Sequence, residues 1–227
     1  MKYFIQNDEV DNQIKDIRKK IRLSMNGVVS DSMKDYGFSY KQNFGVQITR
    51  LKQLAQNYIP NHDLAQRLWA LKIRETMILA TLLQPVESFS EKDADEWIES
   101  INNIELAEQT CMNLFSKLPF AKSWSLKLIS SDNEWKQTCG FILITRTTKI
   151  FDNQDIEVIS TQGIKLLDTD NYNLYKSISV CLARLCRNGK ESIHIIESKI
   201  EAIKNSQKTA HKFAIAEIEN EISFIDF

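Results

Sequence analysis

Residues 95–118 read DEWIESINNIELAEQTCMNLFSKL, and this stretch decides the fold class that the sequence predicts. Trp97 and Ile98 belong to a first helix, residues 101–103 form a break, and a second helix follows. Apolar residues recur in the second helix at spacings of three and four, which predicts one buried face. That face contains Ile104, Ala107, Cys111, Leu114, Phe115 and Leu118. The stretch is therefore predicted to be a complete pair of helices.

The opposite face of the second helix carries two carboxylates one turn apart, Glu105 and Glu108. Such a pair can serve catalysis, but acids in a first turn also suit the positive end of the helix dipole. Glu105 further fits a capping box with Asn102, because a Glu three residues after an N-cap can bind back to it. These considerations favour a structural role for Glu105 and leave Glu108 as the candidate catalytic carboxylate.

Composition supports an all-α fold for the whole chain of 227 residues. Hydrophobic residues make up 43% and charged residues 26%, as in a folded globular protein. Only six Gly and three Pro interrupt the chain, which favours helices. We expect a single domain over residues 1–227, with basic N-terminal helices at 14–60, helix-pair repeats at 61–187 and C-terminal capping helices at 188–227.

Four segments repeat the arrangement of a short helix, a polar break and a longer apolar helix. They cover residues 62–85, 92–119, 121–146 and 155–187. Helix pairs that recur near this length are typical of a curved α-solenoid, in which each unit packs against its neighbours. At this repeat spacing Trp69, Trp97 and Trp124 are predicted to lie in the core. A core position is also compatible with Trp135. Trp135 is the strongest functional candidate of the four.

Charge is unevenly distributed, although the net charge is only -1. Residues 1–74 hold 13 Lys or Arg against 7 Asp or Glu, whereas residues 75–113 hold 1 against 9. A uniformly basic phosphate-binding surface is therefore excluded, and a basic stripe on part of the chain remains open.

Other features exclude several classes of protein. No apolar run approaches the roughly 20 residues that cross a bilayer, and the N-terminal sequence is too polar for a secretory signal. We therefore expect a cytoplasmic protein. The cysteines have no CxxC spacing and are predicted to be reduced, mostly buried thiols, and we expect no metal site and no cofactor. The cysteines are Cys111, Cys139, Cys181 and Cys186.

Several phrases of the sequence resemble the bacterial DNA alkylation repair family, the AlkD-like proteins with HEAT-like repeats. The resemblance begins with FGVQITRLKQLAQNY at 44–58 and HDLAQRLWALKIRETMILATLL at 62–83. It continues through ADEWIESINNIELAEQ at 94–109, SDNEWKQTCGFIL at 131–143 and LYKSISVCLARL at 174–185. It spans about residues 14–200 and implies a curved α-solenoid of HEAT-like repeats.

The resemblance also implies a function, since active members are DNA glycosylases that release N3- or N7-alkylated purines. They hold the duplex on the concave side of the solenoid. Their chemistry uses a carboxylate that stabilises positive charge on the deoxyribose, Trp side chains that attract the cationic nucleotide, and an Arg that holds phosphate.

This sequence departs from the family at three places in that site. The Trp and Asp of the family's catalytic motif fall on Ile104 and Glu108. The W-x-x-R motif keeps its Trp as Trp135 and has Thr138 in place of the Arg. A later RKAIGW phrase falls on residues 175–180 and ends in Val180. These departures predict that glycosylase activity is weak, altered in substrate or absent.

If second helices line the concave face, several basic residues become candidate phosphate contacts. They are Arg74, Lys117, Lys136, Arg146, Lys176, Arg184 and Arg187. We thus expect a monomer that binds double-stranded DNA, alkylated or not. The alternative hypothesis is a non-catalytic HEAT-repeat scaffold that binds a protein partner, which the near-neutral charge and the acidic segment favour.

Overall fold

The computed structural model describes residues 4–38 and 40–225, and these form an all-α fold. Thirteen α-helices account for most of the described residues, with short 3₁₀ turns between some of them. Extended pairing in this part of the chain is limited to one isolated bridge between Gln42 and Ile73. The chain divides between Leu118 and Pro119 into two compact units, unit 1 and unit 2.

Unit 1 contains seven α-helices in its described part. They are α1 Asp8–Leu23, α2 Gly27–Asp35, α3 Ile48–Ala55, α4 His62–Ala70, α5 Arg74–Leu83, α6 Glu91–Ile98 and α7 Ile104–Asn113. Helices α3, α5 and α7 pack side by side, and α1 packs on α4. The rings of Trp69 and Trp97 stack with centroids 4.1 Å apart and so join α4 to α6. Trp97 also donates a hydrogen bond to Gln66 across the same contact, 3.1 Å.

Unit 2 contains six α-helices in its described part. They are α8 Ala121–Ile129, α9 Glu134–Arg146, α10 Asn153–Leu166, α11 Tyr172–Leu185, α12 Lys190–Ile200 and α13 Thr209–Ser223. Helices α9, α11 and α13 form one layer, since α11 packs against both of the others, and α8, α10 and α12 form a second. The C-terminal helices α12 and α13 thus continue the two layers as a further helix pair.

A close approach between α8 and α9 depends on Gly140. A Cβ atom at this position would lie 2.7 Å from Cγ2 of Ile129 and 3.0 Å from the backbone nitrogen of the same residue. Neither distance is compatible with van der Waals contact. The two helices therefore pack as tightly as they do because residue 140 has no side chain.

The four helix pairs predicted from the repeats are confirmed as α4–α5, α6–α7, α8–α9 and α10–α11. Two helix ends were predicted wrongly. The first helix begins at Asp8, where Asn7 caps it by accepting from the Val10 amide, and not near residue 14. Helix α7 ends at Asn113 and does not reach Leu118. Pro119 favours an extended residue before it, and Leu118 has ψ 140°.

The buried side chains agree with the sequence analysis. Trp69, Trp97 and Trp124 are buried in the core. All four cysteines are buried free thiols. Burial outweighs the opposing hydrogen bond with Thr145 and raises the pKa of the Cys181 thiol to about 12. Among the described residues, no helix combines the length and apolar character that a membrane span requires.

Candidate functional site

Glu108 lies on the exposed surface of α7, one turn after Ile104. The helix is started by Asn103, whose side chain accepts a hydrogen bond from the Leu106 amide, 3.0 Å. The predicted capping box of Asn102 and Glu105 is therefore wrong, because the helix begins one residue later. Ile104 supplies no aromatic surface beside Glu108, so the carboxylate stands in solvent without the aromatic neighbour that the family motif provides.

Glu105 instead forms a partly buried ion pair with Arg74, which reaches it from α5. The Arg74 guanidinium donates to both carboxylate oxygens, at 2.8 and 2.6 Å. It also contacts the Glu75 carboxylate at 3.0 Å and donates to the Val46 carbonyl at 2.8 Å. The Arg74 side chain is only 3% exposed. The structure therefore removes Arg74 from the candidate phosphate contacts, because its donors are already used inside unit 1.

The pKa shifts in this network follow from burial and charge. Burial acts to lower the pKa of Arg74, but the hydrogen bonds and charges of Glu105 and Glu75 outweigh it and the pKa is raised. Tyr40 lies within hydrogen-bond distance of Glu105 and Asn103, at 2.8 and 2.9 Å. Burial, followed by the charge of Glu105, raises the pKa of Tyr40 well above its usual value. Tyr40 therefore remains a neutral hydroxyl that donates to the carboxylate.

Glu75 connects the sequence FGV at residues 44–46 to the start of α5 at residues 74–75. Its fully buried carboxylate accepts from the amides of Phe44 and Val46, at 3.1 to 3.2 Å. Gly45 between them has φ 69°, a left-handed conformation that favours glycine. The segment before α3 is thus tied to the start of α5 by one carboxylate. Sequence analysis missed this network, since its members are about 30 residues apart and leave no local pattern.

In unit 2 the candidates Trp135 and Lys136 occupy the first turn of α9. Asn133 caps this helix, and its side chain accepts from the amides of both residues at 3.0 Å. Trp135 and Lys136 are each partly exposed. The prediction that Trp135 stands at the start of a long second helix is confirmed.

The starts of α9 and α11 lie next to each other. Glu134 in the first turn of α9 accepts from Asn171, the N-cap of α11, at 2.8 Å and from Thr169 at 3.2 Å. Since α9 and α11 also pack side by side, they run in the same direction. Lys176, early in α11, is therefore placed at the same end of the layer as Trp135, and its amino group lies 5.6 Å from the centroid of the Tyr172 ring.

The remaining candidate cations are exposed, and most lie at the opposite end of the same two helices. Arg146 ends α9, Arg184 lies in the last turn of α11, and Arg187 follows it. Arg187 forms an ion pair with Glu221 of α13, which partly neutralises it. Lys117 is exposed in unit 1, in the 3₁₀ turn after α7.

The positions that replace the family's Arg and second Trp are packed into unit 2. Thr138 is fully buried, and its hydroxyl donates to the Glu134 carbonyl at 2.7 Å. Val180 is partly buried on α11. A buried threonine within a helix cannot hold a phosphate. The arrangement therefore offers exposed cations and one aromatic side chain, without the guanidinium of the family motif.

Comparison with known proteins identifies the family and the fold of the chain. A family model described as DNA alkylation repair enzyme matches residues 17–215. No curated protein sequence gives a significant match. One solved structure is similar over 91% of this chain and 94% of its own, with a TM-score of 0.73 and 16% identity. It is described as representing a new family of proteins related to the HEAT-like repeat DNA glycosylases with affinity for branched DNA structures. The likeness confirms a HEAT-like repeat fold.

Proposed function

Because the chain belongs to the DNA alkylation repair enzyme family, we propose that it binds double-stranded DNA through basic surface residues and excises alkylated purines weakly or not at all. The observation that carries the binding proposal is the pair of adjoining helix starts in unit 2. Trp135 and Lys136 lie in the first turn of α9, and Lys176 lies in the second turn of α11 at the same end of the layer. An aromatic ring beside cations suits a nucleotide, since the ring can contact a base while the cations contact phosphates.

The catalytic part of the proposal rests on what surrounds Glu108. A carboxylate that stabilises a cationic transition state works best in a water-excluded site at a defined distance. Glu108 is exposed on α7 and follows Ile104, and the Arg position of the family motif is the buried Thr138. Each departure removes a group that would position the nucleotide. We therefore expect a DNA-binding protein whose excision activity is lost or greatly reduced.

Binding and excision need separate measurements. We expect fluorescence anisotropy to show binding of a labelled duplex in low salt, with weaker binding at physiological salt. A labelled four-way junction belongs in the same titration, because the similar structure is described as having affinity for branched DNA. Absence of binding to either DNA at both salt concentrations would overturn the proposal.

Excision is tested with methylated duplex DNA by measuring the release of N3- and N7-methylpurines. We expect release at, or only slightly above, the rate of the protein-free control. Efficient release that Glu108→Gln lowers by about 10² or more would show instead that Glu108 is catalytic. Glu87→Gln is the matched control, since Glu87 is another exposed carboxylate of unit 1.

A second candidate function is a scaffold for a protein partner. It is favoured by the acidic segment 75–113, whose charge opposes DNA binding near α6 and α7. The binding titration discriminates the two, because a scaffold of this kind would bind neither DNA. A cytoplasmic location and a monomeric state remain part of the proposal, and size-exclusion chromatography with light scattering tests the latter.

A further inference from the structure

Helix α1 carries four cations along one face. Lys15, Arg18, Lys19 and Arg22 follow the spacing i, i+3, i+4 and i+7, which places side chains on the same side of a helix. All four are exposed. Together with Leu23 they line a shallow groove of about 500 Å³. We call these four residues the α1 stripe.

The side chains of the α1 stripe make no direct polar contact with the described part of the chain, although the charge of Lys19 acts on nearby Asp16. None of its four side chains forms an ion pair or a hydrogen bond with another described residue. The other charged groups of α1 behave differently. Lys20 pairs with Asp16 at 2.7 Å, and Asp11 pairs with Arg67 of α4 at 3.0 Å. Like charges one turn apart repel each other, and an anion bound along the stripe would relieve that repulsion.

The helix that carries the α1 stripe is firmly attached to unit 1. Val10, Ile17 and Ile21 are buried on its opposite face. The apolar face of α1 is therefore already packed against unit 1. An amphipathic helix that inserts into a bilayer buries this face in lipid, so the packing argues against insertion of α1. The four cations are presented on a rigid element, so little ordering of the backbone is needed when an anion binds.

We propose that the α1 stripe binds the phosphate backbone of a nucleic acid strand. This inference rests on the proposed function and adds a contact surface that the family motifs do not include. The stripe covers about 10 Å of helix axis, from about 1.5 Å per residue, and one DNA strand places a phosphate about every 3.4 Å along the duplex. Two Arg residues can bind phosphate with two donors each, and the two Lys residues act as point charges.

The test compares the salt dependence of DNA binding between the wild type and a quadruple variant. The variant combines Lys15→Gln, Arg18→Gln, Lys19→Gln and Arg22→Gln. Each phosphate contact contributes about 0.9 to the slope of log K against log salt concentration. We expect the variant to have a slope shallower by about 3 to 4, and at least tenfold weaker binding in low salt.

A control variant removes the same charge from other exposed positions of unit 1. It combines Lys41→Gln, Arg50→Gln, Lys52→Gln and Lys92→Gln. Its slope should stay within about 1 of the wild type, because these residues form no continuous stripe: two lie on α3, one on α6 and one before α3. Circular dichroism and thermal unfolding check both variants. If the quadruple variant fails to fold, the four single variants are titrated instead. Each should reduce the salt slope by about 0.9.

The outcomes separate this inference from the proposed function. Wild-type binding with an unchanged slope in the stripe variant overturns the role of the stripe and leaves DNA binding intact. Absence of DNA binding by the wild type overturns both. A separate titration measures the binding of the wild type and the stripe variant to vesicles that contain phosphatidylserine. Vesicle binding that depends on the α1 stripe, without DNA binding, would assign the surface to lipid and also overturn the inference.

Discussion

Arg74 lies between two carboxylates inside unit 1, and its removal would leave Glu75 and Glu105 without a cationic partner. A buried charge that loses its partner destabilises a fold strongly. We therefore expect Arg74→Ala to lower the free energy of unfolding by about 3 to 5 kcal/mol. Urea unfolding followed by circular dichroism measures the change.

Arg146→Ala is the control for this prediction, because Arg146 is exposed and its truncation removes little packing. Its effect should stay within about 0.5 kcal/mol. A similarly small effect of Arg74→Ala would show that the Arg74 network does not stabilise the fold. DNA affinity measured on the same variants tests the conclusion that Arg146, and not Arg74, remains available to phosphate.

The two buried thiols, Cys181 and Cys186, should make the stability of the fold depend on pH. Burial raises the pKa of Cys181 and of Cys186 to about 12, from an ordinary thiol value of about 9. The unfolded chain therefore loses these protons at lower pH than the folded chain. The stability that the neutral thiols contribute is fully present below about pH 9 and is lost as the pH rises towards 12. Urea unfolding at pH 8 and pH 10.5 should show the decrease.

The contribution of the two thiols is isolated by the variant that combines Cys181→Ala and Cys186→Ala. Its stability should fall less between pH 8 and pH 10.5 than that of the wild type. An equal fall in both proteins would assign the alkaline destabilisation to other groups, among which Tyr40 also has a raised pKa.

At the scale of elements, the contact of α8 with α9 is set by a missing side chain. Gly140→Ala would place a Cβ atom 2.7 Å from Cγ2 of Ile129 and force the helices apart. Overpacking of this kind costs about 1 to 3 kcal/mol. Urea unfolding should report this loss, and a variant as stable as the wild type would contradict the close approach.

Gly27→Ala is the matched control, since a Cβ at the start of α2 meets nothing within 4 Å. Alanine reduces the freedom of the unfolded chain, so this change should be neutral or stabilise the protein by about 0.4 to 1 kcal/mol. The comparison separates the effect of the helix contact from the intrinsic preference of alanine for helices.

Periodicity predicted the helices well and their ends less well. The apolar spacing of residues 104–118 continues through Leu114, Phe115 and Leu118, all of which are buried. The helix itself stops at Asn113, and a 3₁₀ turn brings these side chains inward. A buried face thus persists beyond the helix that begins it, so hydrophobic spacing alone cannot locate the last helical residue.

At the scale of the whole molecule, charge limits how strongly the protein can bind DNA. The chain has a net charge of -1, and its excess cations lie in residues 1–74. If the α1 stripe and the cations of unit 2 together neutralise about six phosphates, the affinity for duplex DNA should fall about 10³-fold between 50 and 200 mM salt. Anisotropy titrations over this range measure the slope. A slope near zero would indicate that binding does not depend on phosphate contacts.

The family and the repeat fold were predictable from the sequence, because they depend on motifs within single helix pairs. The position of Arg74 on a second helix predicts a phosphate contact. In the structure its guanidinium is instead paired with Glu105, a residue 31 positions away. Such a pairing depends on the packing of α5 against α7, which no local pattern records. The same limit explains why Glu105 was assigned to a capping box.

Helix α2 has a consequence for the dynamics of unit 1. None of its residues is buried, so its backbone hydrogen bonds are covered by little apolar surface. Helices of this kind open locally at a small fraction of the global unfolding energy. The amides of α2 should therefore exchange with deuterium much faster than those of α1, whose apolar face is buried, although both segments are helical. Secondary structure and protection are thus separate properties in this protein.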